Sequence, residues 1–330
     1  MKHKRFFCLV LIIAMLVLSF GCSSNDAKLK KITVSEVTHS VFYAPQYAAM
    51  ALGYFEEEGI EVELLNGGGA DNVMTAVLSG QVDIGFAGPE AAIYVANEGK
   101  EGHPMVFAQV TKRDGSFLIS REKTDNFSYD EMNGKHLIGG RTGGVPLMTL
   151  KYVLMKNGLE DDDLNVDTSI EFNNMVSAFT SGIGDYVTAF EPTASMLEEE
   201  GIGYVATSIG ADSGEIPYTA YFSNQKFIDE NHDVVVGFTR AIYKAQQWIA
   251  NTDNAEIAKV IKPYFDDTEE ELLEKSVERY KEIDAWCTDP ILTEQSLNNL
   301  MDVIEYAGEL EKRVDYEEVV NTKIAEEAMK

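Results

Sequence analysis

The side chains best suited to chemistry in this sequence sit in short loops. Thr38-His39-Ser40-Val41-Phe42-Tyr43 brings hydroxyls, an imidazole and two rings into six positions. Phe42 or Tyr43 can stack on a planar molecule, or the rings can pack in a core. In Gly67-Gly68-Gly69-Ala70-Asp71 the glycines let the backbone approach a bound molecule, and a helix start favours negative groups. Asp71 is equally suited to cap that helix. Gly143-Gly144 poses the same choice, with Arg141 beside it as a clamp for an anionic group. Gly88-Pro89-Glu90 and Glu191-Pro192 each put a carboxylate at a turn, facing a ligand or stabilising a first helical turn. Asp114 lies in Thr111-Lys-Arg-Asp-Gly115, where a hinge turn explains it as well as a ligand does. Asn174, which opens a helix in the second half, completes the candidates.

This set reads as binding, with no catalytic residue and no cofactor. The sequence has no nucleophile elbow, no Walker-type phosphate loop and no metal cluster. His39 has no His or Cys partner at ligand spacing. The 330 residues are 45% hydrophobic and 25% charged, which fits globular material and is more than one core usually serves. A formal charge of −28 would be repelled by phosphate backbones, so nucleic-acid binding is excluded as an expectation.

The N-terminus supplies an address. Lys2, Lys4 and Arg5 precede an apolar run over 6–20, too short for a bilayer span and fitting the core of an export signal. The run ends at Gly21-Cys22-Ser23, similar to a bacterial lipoprotein site with Cys22 as the lipid-bearing first residue. Ser19-Phe20-Gly21 departs from that pattern, its leucine standing one place early at Leu18. A plain signal peptide or an uncleaved anchor is the alternative. Cleavage would leave 24 basic against 55 acidic residues, a charge of −31, and Cys287 as the one free thiol. The expected protein folds without disulfides and is held by lipid on the outer face of the cytoplasmic membrane.

Positioning these loops requires a scaffold, and an internal repeat outlines it. Residues 72–87 align without gaps, 102 positions on, with 174–189, sharing Asn, Ala, Ser, Gly, Asp and Ala. Each copy reads as an apolar helical stripe, a glycine cap (Gly80, Gly182), a short strand and a Pro/Glu corner. Upstream, 32–37 reads as a strand, 44–58 as a helix and 60–65 as a strand. The second half answers with 135–139, 146–157 and 169–172. Runs at 105–110 and 116–120 carry the chain across, and 217–222 returns it. From Gln225 the pattern is helical, with Val235, Phe238, Ile242, Ala245 and Ile249 in one stripe and Thr268 to Glu271 as a capping box. The expectation is α/β: two Rossmann-like lobes with mostly parallel sheets, a crossing-strand hinge and a helical C-terminal part. Its divisions are 1–21 signal, 22–31 lipidated tether, 32–117 with 218–330 as lobe 1, and 118–217 as lobe 2.

In open parallel sheets, ligands bind beyond the carboxyl ends of the strands, so two facing lobes imply a closing cleft. His39-Ser-Val-Phe-Tyr43, Gly53-Tyr-Phe-Glu-Glu-Glu-Gly59 and Ser79-Gly-Gln-Val-Asp-Ile-Gly85 resemble ABC-importer substrate-binding proteins for aliphatic sulfonates, nitrate and thiamine pyrimidine precursors. Phe190-Glu-Pro192 is similar to that family's second-lobe turn, and the resemblance covers roughly 32–222. It implies a type II periplasmic-binding-protein fold and a monomer that delivers solute to a permease with a cytoplasmic ATPase. Asp71, Glu90, Asp114 and Glu191 around one cleft would suit a donor-rich, neutral or basic nitrogen heterocycle such as a thiamine pyrimidine precursor. Arg141 argues for the alternative, a sulfonate, taurine or nitrate. A menaquinone-pathway enzyme of the same architecture is a further alternative, opposed by the export segment. An extracytoplasmic sensor would need a membrane span and a signalling module, and neither pattern is found through Lys330.

Overall fold

The computed structural model describes residues 28–99, 102–160 and 163–330, so the expected signal segment and Cys22 lie outside the described residues. The chain opens with β1 (Lys30–Glu36), a single 3-10 turn, α1 (Ala44–Ala51) and α2 (Tyr54–Glu57). Next come β2 (Ile60–Asn66), α3 (Ala70–Leu78), β3 (Ile84–Ala87), α4 (Glu90–Asn97) and β4 (Pro104–Thr111). The second set is β5 (Phe117–Ser120), β6 (His136–Ile138), α5 (Val145–Lys156) and β7 (Asn165–Asp167). It continues through α6 (Met175–Thr180), β8 (Tyr186–Ala189), α7 (Thr193–Glu199), β9 (Tyr204–Ser208) and α8 (Ile209–Ser213). After β10 (Thr219–Asn224) the chain is helical: α9 (Gln225–Glu230), α10 (His232–Asn251), α11 (Asn254–Ile261) and α12 (Glu270–Glu282). It finishes with α13 (Glu294–Tyr306), α14 (Tyr316–Val319) and α15 (Thr322–Ala328).

Two five-stranded sheets result, ordered β2-β1-β3-β10-β4 and β7-β6-β8-β5-β9. In the first, β1 runs parallel to β2 and β3, and β10 runs antiparallel to β3 and β4. In the second, β6 is parallel to β7 and β8, and β5 is antiparallel to β8 and β9. The repeat read in the sequence is thus α3–β3 in one sheet and α6–β8 in the other. Strands β3, β5 and β8 are buried at every position, the signature of strands covered on both faces. Edge strand β2 instead exposes Glu61 and Glu63, charges that discourage further pairing.

The stripe Val235, Phe238, Ile242, Ala245 and Ile249 of α10 is fully buried, packing on α1, α2 and α15. Its Val, Phe and Ile side chains each contribute about 1.5–3 kcal/mol through burial. The two crossings that join the sheets hydrogen-bond to each other: Ile216 N–H donates to Lys112 O at 3.0 Å and Tyr218 N–H to Thr111 O at 3.2 Å. The C-terminal segment braces them, with Cys287 N–H donating to Val110 O at 2.9 Å.

Three local expectations are corrected. The helix expected over 44–58 is two helices, because Gly53 adopts φ +74°, a left-handed turn that stops the first one. The strand expected over 169–172 lies at Asn165–Asp167, where it pairs with β6. Asp167 ends it by accepting hydrogen bonds from Ser169 N–H (2.9 Å) and Oγ (2.6 Å), a side-chain turn that competes with the ladder. No capping box forms at Thr268, because its N–H closes a turn onto Phe265 O at 3.1 Å and Glu269 takes the cap position of α12.

Candidate functional site

The carboxyl ends of β1, β3, β6 and β8 all open onto one cavity between the sheets, joined by the start of α3 just past β2. From the first sheet come Val37, Thr38 and Tyr43, the α3 start at Gly69 and Ala70, and Gly88 and Glu90 beyond β3. From the second come Gly140, Arg141 and Gly144 to Leu147 after β6, together with Phe172, Met175 and Phe190. Tyr218 and Thr219, on the return crossing itself, close the wall. The cleft measures about 670 Å³, its open mouth included, and its walls are mostly apolar and aromatic.

Glu90 is the acid on this cavity's wall. As the first residue of α4 it has the helix start behind it, yet it is only 2% exposed. Burial pushes its carboxyl up to about 7, against the opposing pull of its own N–H, Arg141 and the Val145 N–H from the other lobe. Its Oε2 has no hydrogen-bond partner among the described residues. Gly88 makes the conformation feasible: a Cβ there would lie 1.9 Å from that oxygen.

Arg141 reaches the wall with its charge already engaged. Its Nη2 lies 3.0 Å from Asp71 Oδ1, an ion pair from one lobe to the other with both groups partly exposed. Asp71 is therefore a partner of Arg141 across the cleft. Beside it, the Tyr94 hydroxyl donates to Gly143 O at 2.9 Å, and Gly143 lines a neighbouring groove that shares Arg141 with the cavity. Thr38, Tyr43, Gly69, Gly88, Glu90, Arg141 and Gly144 are thus gathered on the cavity wall.

Five other sequence candidates are placed elsewhere, each for a definite reason. Phe42 is 1% exposed and packs on Phe190, Tyr218 and Tyr280 at ring distances of 5.6, 5.7 and 5.2 Å. Of the two loop rings, Tyr43 is the one in the cavity. His39 turns back into its own lobe: Nδ1 is 3.1 Å from Glu36 Oε1 and Nε2 is 2.6 Å from Tyr264 O. It borders a neighbouring groove instead. Asn174 is exposed ahead of α6 and caps nothing with its side chain. Asp114 is fully buried in the outgoing crossing, where its Oδ1 accepts Ser116 N–H at 2.6 Å. Burial raises its carboxyl to about 7, the Ser116 contacts pulling the other way.

Glu191 is the largest correction. Its carboxylate does not face the cavity but accepts from Arg279 Nη1 at 2.6 Å, and from Ser195 N–H and Oγ at 3.0 Å each. The Pro/Glu order explains it. Glu90 follows its proline and is the first helical residue, whereas Glu191 precedes Pro192, two places earlier relative to the helix start. Sequence reasoning also passed over Phe172, Phe190, Tyr218 and Thr219. The aromatic Phe190 next to the Pro/Glu corner was a readable signal; Tyr218 and Thr219 become wall residues only because the return crossing passes between the lobes. Among the described residues no group of three or more His, Cys, Asp or Glu gathers as a metal site, and no helix is long and apolar enough to cross a membrane.

This arrangement suits enclosure of a small, flat molecule. Residues 28–262 match the NMT1-like family. The chain belongs to that family. The Bacillus subtilis (strain 168) protein named "Putative binding protein YtlA" is 42% identical over 312 residues, 94% of this chain and 93% of that one. Among solved structures, the alkanesulfonate-binding protein SsuA from Xanthomonas axonopodis pv. citri, bound to MOPS, matches with a TM-score of 0.72 at 15% identity. That match covers 89% of this chain and 99% of SsuA. The periplasmic nitrate-binding protein NrtA from Synechocystis PCC 6803 matches at 0.69 and 16% identity, covering 91% and 88%. At such identities the likeness is one of fold, and this NMT1-like chain has the α/β fold of periplasmic substrate-binding proteins.

Proposed function

We propose that the protein is an extracytoplasmic solute receptor of an ABC-type importer, anchored through Cys22 to the outer face of the cytoplasmic membrane. It captures a small organic solute between its lobes as a monomer, without a cofactor and without converting it, and hands it to a permease driven by a cytoplasmic ATPase. The favoured solute is a neutral or basic nitrogen heterocycle, such as a thiamine pyrimidine precursor. One observation carries that preference: the buried Glu90 carboxyl lines an aromatic cavity with an oxygen that has no hydrogen-bond partner among the described residues. Such an oxygen costs stability until a hydrogen-bonding partner reaches it.

Arg141 on the wall favours a sulfonate or nitrate as the second reading, but Asp71 at 3.0 Å already offsets its charge. Titration calorimetry with 4-amino-5-hydroxymethyl-2-methylpyrimidine, taurine, an alkanesulfonate and nitrate separates the two. Heterocycle binding at micromolar Kd, about −8 kcal/mol, with the solute recovered intact, is the expected result. Tight sulfonate binding with no heterocycle binding overturns the preference, and turnover of the solute overturns the receptor role.

A further inference from the structure

The chemistry around Glu90 narrows the solute beyond the class just given, and rests on that reading. Its carboxyl is shut in a cavity with Tyr43 and Tyr218 among the wall residues. The nearest cation, Arg141, is shared with Asp71. A bare carboxylate closed in with a neutral ligand would keep a poorly compensated charge out of water, and a protonated one would need an acceptor opposite it. A ring nitrogen beside an exocyclic amine answers both needs. The amine donates to one carboxyl oxygen, and the second contact holds one hydrogen between the other oxygen and the ring nitrogen.

We propose that Glu90 recognises an N–C–NH2 edge, as in a 4-aminopyrimidine, and that the pair holds one shared proton. The carboxyl carries that proton in the free protein at the acid end of the pH range and must take it from solvent when the medium is alkaline. The raised Glu90 carboxyl, at about 7, agrees with this. The charged or titratable groups around it are Arg141 from the second lobe, Asp71 from α3, Tyr94 on its own helix, and Tyr43 and Tyr218 across the cavity, with the Val145 N–H as a neutral donor. All three tyrosines are held above their ordinary value of 10, chiefly by burial, so none titrates between pH 6 and 9. The other buried acid with a similar raise, Asp114, lies behind the wall in the crossing.

The test is calorimetry with 4-amino-5-hydroxymethyl-2-methylpyrimidine from pH 6 to 9. The wild-type Kd is expected to stay level to about pH 7 and then rise roughly tenfold per pH unit. In phosphate and Tris at pH 8.5, the difference in heat should correspond to uptake of about one proton per ligand. Glu90→Gln, whose amide offers a donor and an acceptor but no titrating proton, should flatten the profile, while Asp114→Asn keeps the slope. Heterocycle binding that is level to pH 9, or without proton uptake, overturns this inference and leaves the receptor reading standing. Absence of heterocycle binding at every pH overturns both. The two-buffer experiment needs only the wild-type protein, so it decides the matter even if a variant does not fold.

Discussion

Arg279→Met should be among the most damaging single changes outside the cavity. The Glu191 carboxylate is fully buried and accepts from the Arg279 guanidinium at 2.6 Å, while the second arm of Arg279 pairs with Glu198. Methionine keeps much of the volume but leaves a buried carboxylate with only Ser195 and the weaker contact to Ser276 as donors. Removing one partner of a buried pair costs about 3–5 kcal/mol. For 330 residues, an unfolding entropy of about 2.1 cal/mol/K per residue gives about 1.5 °C per kcal/mol, so the melting temperature should fall by roughly 4–8 °C. Calorimetric melting of the ligand-free protein measures it. The double variant Glu191→Gln/Arg279→Met removes the stranded charge, so it should recover at least half of that loss. A single variant within about 1 kcal/mol of wild type, or a double variant no better than the single, refutes the reasoning.

Two further outcomes follow from the geometry. His39 is held above its ordinary 6.5, first by its hydrogen bond to Glu36 and also by the Tyr264 carbonyl, burial opposing both. The raised value belongs to the folded state, so its stabilisation is full below pH 6.5 and fades as pH rises through the folded value. Wild-type melting temperature should therefore fall between pH 6.5 and 8.5, and His39→Gln should fall less over the same range; equal slopes would disprove the assignment. Gly88→Ala places a methyl 1.9 Å from Glu90 Oε2 and must expel the carboxyl from its position. Its heterocycle affinity should drop at least tenfold with native far-UV circular dichroism, and unchanged affinity would count against Glu90 as the reader of the ligand.

Local pattern made much of the fold readable. The stripe of α10 could be assigned because five apolar residues keep one helical face whatever they meet. The repeat at 72–87 and 174–189 was visible because both copies need the same helix, turn and strand. What stayed hidden depends on distant partners. Nothing near Glu191 announces Arg279, 88 residues on, and nothing near His39 announces the Tyr264 carbonyl, 225 residues on. Phe42 and Tyr43 are adjacent and chemically alike, and the packing of Phe42 on the distant Phe190, Tyr218 and Tyr280 decides which ring faces the cavity. The Asp167 turn was local but competed with an apparent strand just beyond it.

Tyr218 and Thr219 lie on the stretch that returns the chain from one sheet to the other, and Tyr218 N–H is tied to Thr111 O of the opposite strand. In the proposed receptor, any swing of one half about this stretch would turn part of the cavity wall with it. Closure and discrimination would then share the same few atoms, and a change of preference at these two positions would also alter how readily the molecule shuts.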